Sequence, residues 1–143
     1  MTPAAHAIEL SAADDDVDEL RHVNNLVYLR WVLEAASGHS RALGWDFDAY
    51  RAAGGVFVVR RHEIDYLRPV FAGDAIRVVT WVESMGRVSS VRRTEISCRG
   101  ESIANARTTW AFVSLASGRP IRIPDAVRGA FRVSAPIGQL PSG

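Results

Sequence analysis

The chain has 143 residues, 48% of them hydrophobic, and its charges nearly balance at a net +1. That length fits one domain able to bury very roughly 70% of its unfolded surface, and the near-neutral balance excludes a general attraction to nucleic acid or anionic lipid. The single cysteine, Cys98, has no internal partner for a disulfide, no apolar run approaches a membrane span, and the first ten residues lack the basic start and long apolar core of a signal peptide.

The expectation is therefore a cytoplasmic protein with no membrane or nucleic-acid partner. One domain is expected over residues 1–134, followed by a loose tail at 135–143 that holds two prolines and two glycines. Residues 6 to about 13 alternate, with Ile8, Leu10 and Ala12 on one side, and predict a short first strand that the acidic run Asp14 to Asp16 ends. Three adjacent aspartates usually make a solvated turn, which accounts for Asp14 and Asp15.

A polar loop with Asp16, Asp18, Arg21 and His22 then meets Asn24 and Asn25, either of which can cap a helix by accepting a first-turn N–H. From Leu26 to Ala36 the residues are mostly apolar nearly all the way round, with Arg30 and Glu34 the clear polar pair at i and i+4. A helix of that kind wants to be wrapped. It is expected to slacken at Ser37-Gly38-His39 and to stop near Gly44, and Trp45 to Ala53 predicts a second short helix ended by Gly54-Gly55.

The remainder is mostly strand: Val56 to Leu67, Ala75 to Met85, Val88 to Arg99 and Ser102 to Leu115, the last two joined by a hairpin at Gly100-Glu101. Pro69 closes the first of these, and Ala72-Gly73-Asp74 turns the chain into the second. Pro124 is placed to open a short helix running to about Phe131. This order predicts an α+β layer fold, a meander of antiparallel strands curved around one long helix. The charges Arg60, Arg61, Glu63 and Asp65 mark Val56 to Leu67 as an edge strand, open to solvent or paired with a second subunit.

The start of the long helix also carries chemistry. Unpaired N–H groups and the positive end of the dipole, around Val23 to Asn25, can hold an oxygen that gains negative charge, and the loop can bring Asp18 to that point. A carboxylate beside an anion-stabilising helix end suits attack on a carbonyl compound. The plainer possibility is that Asp18 and His22 only cap and brace the helix.

Two motifs support the first possibility. The run Asp16-Val17-Asp18-Glu19-Leu20-Arg21-His22-Val23-Asn24-Asn25-Leu26-Val27-Tyr28-Leu29 is similar to the pattern D-x-D-x-x-G-H-V-N-N-x-x-Y-L, and Tyr66-Leu67-Arg68-Pro69-Val70-Phe71-Ala72-Gly73-Asp74 to Y-x-x-P-x-x-x-G-D. In this order and spacing, from about Ile8 to Phe131, the chain resembles the hotdog-fold acyl-CoA thioesterases of the 4-hydroxybenzoyl-CoA thioesterase superfamily. The resemblance implies a five-stranded antiparallel sheet wrapped around a long central helix. It also implies a homodimer or homotetramer whose sheets join edge to edge, with active sites at the interface.

It further implies hydrolysis of an acyl- or aroyl-CoA, or of an acyl-carrier-protein thioester. Asp18 would act as nucleophile or as the base that activates water, and His22 and Asn25 would shape the same loop. Backbone N–H groups of Val23, Asn24 or Asn25 would polarise the carbonyl. Arg21 stands where the family has glycine. Arg87 matches a position that contacts coenzyme A phosphates in some members, and Tyr28 and Trp31 would either line the acyl pocket or pack in the core.

No cofactor is implied. The four histidines show no metal-ligand spacing, so no metal is expected. Cys98, without the neighbours a nucleophile needs, is expected to be structural. The dehydratase branches are excluded, because neither His-x-x-x-Pro-Gly nor Asp-x-x-x-x-His occurs. The alternative to an enzyme is a non-catalytic hotdog module that binds an acyl thioester or a protein partner.

Overall fold

A computed structural model describes residues 4–133, so the tail expected at 135–143 lies outside the described residues. Five strands form one antiparallel sheet: β1 (Ala5–Ser11), β2 (Gly55–Tyr66), β3 (Ala75–Met85), β4 (Ser89–Cys98) and β5 (Glu101–Ser114). Their spatial order is β1-β3-β4-β5-β2, which leaves β2 at an edge, as its charges require. The β4–β5 hairpin pairs Cys98 with Glu101, so its two-residue loop is Arg99-Gly100, one residue earlier than expected. Both loop residues have positive φ, the geometry that matches the twist of the flanking strands.

The long helix α1 (Asn25–Ala42) packs on the sheet, with α2 (Phe47–Ala53) and α3 (Asp125–Ala130) beyond its C-terminal end. Val27, Tyr28, Trp31, Val32 and Ala35 meet Ile76 and Val78 of β3, Ile96 of β4 and Ala104 and Ala106 of β5 in one core. Tyr50, Val82, Phe112, Ile123, Val127 and Phe131 make a second core near α2 and α3. Asp46 caps α2 through Ala49 N–H, so that helix starts two residues after Trp45, and Pro124 is the N-cap of α3 rather than its first residue.

Two expectations for α1 change. The helix continues unbroken through Ser37-Gly38-His39. A Cβ on Gly38 would stand 3.2 Å from Nε2 of His6, so this glycine serves a close helix–strand approach rather than a break. Nor is the helix wrapped on all sides within one chain: Leu26 is 70% exposed, and Leu33, one turn pair further along the same face, is also exposed.

The inward face of the sheet carries a buried polar network. Strict alternation along β4 turns Ser90, Arg92, Thr94, Ile96 and Cys98 inward, and Arg92 is 6% exposed. Its Nη1 donates to Nδ1 of His39 (2.9 Å) and to Oγ1 of Thr80 (3.1 Å), and the guanidinium lies over the Phe131 ring. Thr80 in turn donates to the Arg93 carbonyl. A guanidinium only donates, so Nδ1 of His39 carries no proton and the neutral ring is protonated at Nε2.

Burial first, then the charges of Arg92 and His6, lower the His39 pKa to about 4. The unfolded chain, with His39 near 6.5, binds more protons than the folded one between those values. The stability linked to this residue is complete above pH 6.5 and drains away as pH falls toward 4, by at most about 3 kcal/mol. Urea unfolding at stepped pH should show that decline in the native protein and a flatter profile in His39→Gln, which keeps an acceptor for Arg92 without the titration.

Candidate active site

The loop between β1 and α1 is a small closed turn. Val17 and Val23 bridge antiparallel, Asp18 N–H donates to the His22 carbonyl (2.8 Å) and Arg21 N–H to the Asp18 carbonyl (2.9 Å). The turn closes with Arg21 at φ 65°, the left-handed conformation natural to glycine. Arginine adopts it here at a cost on the order of 1 kcal/mol. The turn that the motif's glycine would make is therefore still made.

The two aspartates of the motif separate into different environments. Asp16 is buried. One carboxylate oxygen accepts from Ala13 N–H (2.8 Å) and the other from Nη2 of Arg30 (2.9 Å). Burial pushes its pKa up, but the Ala13 N–H and the Arg30 guanidinium outweigh that and hold it below the usual carboxylate range. Asp18 is exposed at the tip of the turn, and its Oδ1 accepts only a local N–H, that of Leu20 (2.9 Å). One carboxylate braces the loop, and the other is presented to solvent.

The helix start is more committed than the sequence suggested. Val23 N–H donates to the Val70 carbonyl (2.8 Å) and Asn24 N–H to the Asp16 carbonyl (2.8 Å), so neither is free for a substrate oxygen. Asn24 is the cap, its Oδ1 accepting from Leu26 N–H (2.9 Å). That leaves the amide of Asn25, which as the first helical residue has no intrahelical acceptor. The His22 ring stands edge-on to Phe71 (5.4 Å), which pins the turn to the segment before β3. Tyr66, overlooked as a site residue, reaches the Asn25 carbonyl with its hydroxyl (3.4 Å) and leaves its ring 45% exposed beside Tyr28. Its place at the last position of an edge strand was a readable signal.

Of the remaining expected residues, Tyr28 stays near the helix start with its ring beside Tyr66, while Trp31 and Arg87 lie elsewhere. Tyr28 and Trp31 are buried in the first core and do not line the cavity described next, because their helix positions face the sheet. Arg87 follows β3, whereas Asp74, just before β3, bonds to Ala12 next to the Asp18 loop. The strand between them spans roughly 33 Å, so one chain cannot bring Arg87 to Asp18. Arg87 instead shares a shallow surface hollow of about 480 Å³ with Arg122 and Arg128.

A cavity of about 380 Å³ opens between the C-terminal half of α1, α2 and the sheet. Val56, Phe57, Val82, Met85, Trp110 and Phe131 give it apolar walls, and Ser40, Tyr50 and Arg92 also line it. It too is apart from Asp18, since its first wall residue on α1, Ala36, lies roughly 16 Å along the helix axis beyond Asn25.

With this geometry in place, the profile of the thioesterase-like superfamily matches residues 13–131. The chain belongs to that superfamily. Among solved structures, the thioesterase-like fold recurs in a 1,4-dihydroxy-2-naphthoyl-CoA thioesterase from Synechocystis, at 18% identity and a TM-score of 0.81 over 89% of this chain and 95% of that one. A DHNA-CoA thioesterase from Staphylococcus aureus is similar at 22% identity and a TM-score of 0.82, covering 89% and 88%. A predicted thioesterase from Bacillus stearothermophilus aligns at 26% identity and a TM-score of 0.81, covering 93% and 99%. A chloroplastic acyl-acyl-carrier-protein hydrolase of Cuphea viscosissima is 36% identical over 75 residues, 51% of this chain and 18% of that protein. This thioesterase-like chain thus spans under a fifth of the length of that curated relative. Among the described residues, no helix is long and apolar enough to cross a membrane.

The division of labour within the Asp-x-Asp motif is testable by stability alone. Asp16→Asn removes the ion pair with Arg30 and should cost about 1–3 kcal/mol in urea unfolding. Asp18→Asn keeps the acceptor for Leu20 N–H and should stay within about 0.5 kcal/mol of the native protein.

Proposed function

We propose that the protein is an acyl-CoA thioesterase that works as a homodimer, with Asp18 as its catalytic carboxylate. The observation that carries this reading is the exposed Asp18 carboxylate on a rigid turn beside the uncommitted amide of Asn25. A thioester carbonyl lying between them meets a base or nucleophile on one side and an N–H donor at the positive end of α1 on the other.

If Asp18 acts as base, it takes a proton from water and the new hydroxide adds to the carbonyl carbon. Asn25 N–H holds the oxyanion, the C–S bond breaks, and the coenzyme A thiolate leaves with the proton from Asp18. If Asp18 attacks directly, thiolate leaves first, and water then opens the mixed anhydride. Either route ends in free acid and thiol. Because Arg21 keeps the left-handed turn that glycine would make, the loop is intact for this chemistry, which favours catalysis over a module that only binds.

The hollow on the Phe71 side of the turn, about 300 Å³, has Arg68, Asp74, Arg99 and Glu101 in its lining and suits an acyl group less well than the apolar cavity, whose distance from Asp18 is the argument for the dimer. Edge strand β2 has Val56 and Phe57 at the cavity and Tyr66 at the helix start. Antiparallel pairing of β2 with its own copy sets the Tyr66 end of one chain beside the Val56 end of the other. The carbonyl then sits at Asp18 of one subunit while the acyl group enters the cavity of the second. The Arg87, Arg122 and Arg128 hollow, at the cavity's end of the sheet, is brought toward the same site, where it can meet coenzyme A phosphates.

Thiol release from short, medium, long and aromatic acyl-CoA thioesters should be measurable for at least one class and fall by orders of magnitude in Asp18→Asn. Equal background rates in both proteins would sink the enzyme and leave the binding module. The shared site has its own test, because Ser37→Trp, at the cavity rim, should also inactivate. Co-expressed Asp18→Asn and Ser37→Trp chains should recover about a quarter of native activity through mixed dimers, each holding one intact site. No recovery above the separate variants would place the whole site within one chain.

A further inference from the structure

Arg92 is a buried cation with no anion to match it among the described residues. Every group that holds it is neutral: the unprotonated Nδ1 of His39, the Thr80 hydroxyl and the Phe131 ring. Among the described residues no carboxylate pairs with it. Arginines buried to this degree are ordinarily matched by carboxylates, since an unpaired charge in a poorly hydrated interior is costly. Only Nη1 is taken by protein acceptors, which leaves the Nε and Nη2 donors.

This arginine also lines the apolar cavity. Nη1 is tethered on two sides and the guanidinium face rests on Phe131, so the head group is held in place without being neutralised. Trp110, another wall residue, has an indole N–H that is buried without an acceptor among the described residues. The other charged wall residues, Arg41 and Asp46, are exposed to solvent and of opposite sign. The cavity therefore combines apolar walls with one uncompensated positive charge.

An acyl chain with a methyl end would leave that charge unpaired and strip it of any water it has. A chain ending in a carboxylate would pair with it through two parallel N–H···O bonds, the arrangement a guanidinium fork favours. We propose that the cavity selects ω-carboxyacyl thioesters, the mono-thioesters of dicarboxylic acids, with Arg92 as the residue that binds the distal carboxylate. This rests on the thioesterase reading for the hydrolytic step, but not for the anion site itself.

The test compares adipoyl-, suberoyl- and sebacoyl-CoA with hexanoyl-, octanoyl- and decanoyl-CoA. For the best-fitting length, native kcat/KM should favour the carboxylated substrate by at least about tenfold, a difference of about 1.4 kcal/mol. Arg92→Met should reverse the preference, chiefly through KM for the carboxylated series, and Arg92→Lys should restore part of it. Because Arg92→Met can fail to fold, calorimetry on the native protein supplies a second readout: monomethyl suberate, with one free carboxylate, should bind at least about tenfold more tightly than the uncharged methyl octanoate. Turnover of the alkyl series equal to or better than the carboxylated one overturns the proposal while leaving a thioesterase. If no thioester is hydrolysed, the enzyme reading fails, and monomethyl suberate binding no tighter than methyl octanoate then overturns the anion site as well.

Discussion

The buried carboxylate of Asp16 is the joint on which the end of the molecule with the proposed active site depends. Its oxygens hold Ala13 N–H after β1 and Arg30 one turn into α1, while its own carbonyl takes the Asn24 N–H at the helix cap. Three backbone segments are thus fixed relative to one another by one residue. The ionised form is favoured by its two partners against burial, and removing either would leave the other facing an unmet group. The turn carrying Asp18 is strung between this joint and the Val23–Val70 hydrogen bond, so an exposed carboxylate can still have a fixed position.

Fixing the carboxylate at one end of α1 creates a second constraint, because the apolar cavity lies at the other end. About three helical turns separate Asn25 from the first cavity residue, Ala36, and no side-chain motion closes that gap. What the chain leaves uncovered is consistent with a remedy from a second copy. β2 has one unpaired edge, and Leu26 at the start of α1, with Tyr66 and Leu67 at the end of β2, are exposed apolar residues near that edge. Isolated apolar residues on a surface need no explanation, but a group of them beside an unpaired strand edge does.

Much of this was legible in the sequence. The strands follow from alternation and β-branched residues, the helix from its apolar run, and the edge strand from charges that a central strand would not tolerate. What was missed has particular causes. Gly38 reads as a breaker by local propensity, yet close packing against His6 keeps it helical. Val23 and Asn24 seemed free as donors because their acceptors, Val70 and Asp16, come from chain segments whose approach only the tertiary fold defines. Trp31 reads first as core and second as pocket wall, since the sequence does not say which face of a largely apolar helix meets the sheet. Arg92 was visible in principle: Ile96 and Cys98 set the inward register of β4, and counting back by two puts Arg92 on the same face.

That register has a physical consequence beyond prediction. A strand that turns Ser90, Arg92 and Thr94 toward the interior gives up apolar burial at three positions in a row on one face. An apolar residue at Arg92 would pack beside Phe131 without requiring His39 to stay neutral or Thr80 to accept a hydrogen bond, so fold stability alone would not favour arginine there. A local rule broken at a cavity wall, with neighbours arranged to hold the charge but not to cancel it, is the pattern expected where stability is traded for recognition. The same cavity is the one that dimer pairing would present to Asp18. The position of the unmatched charge therefore bears on what the far end of a bound acyl group must carry.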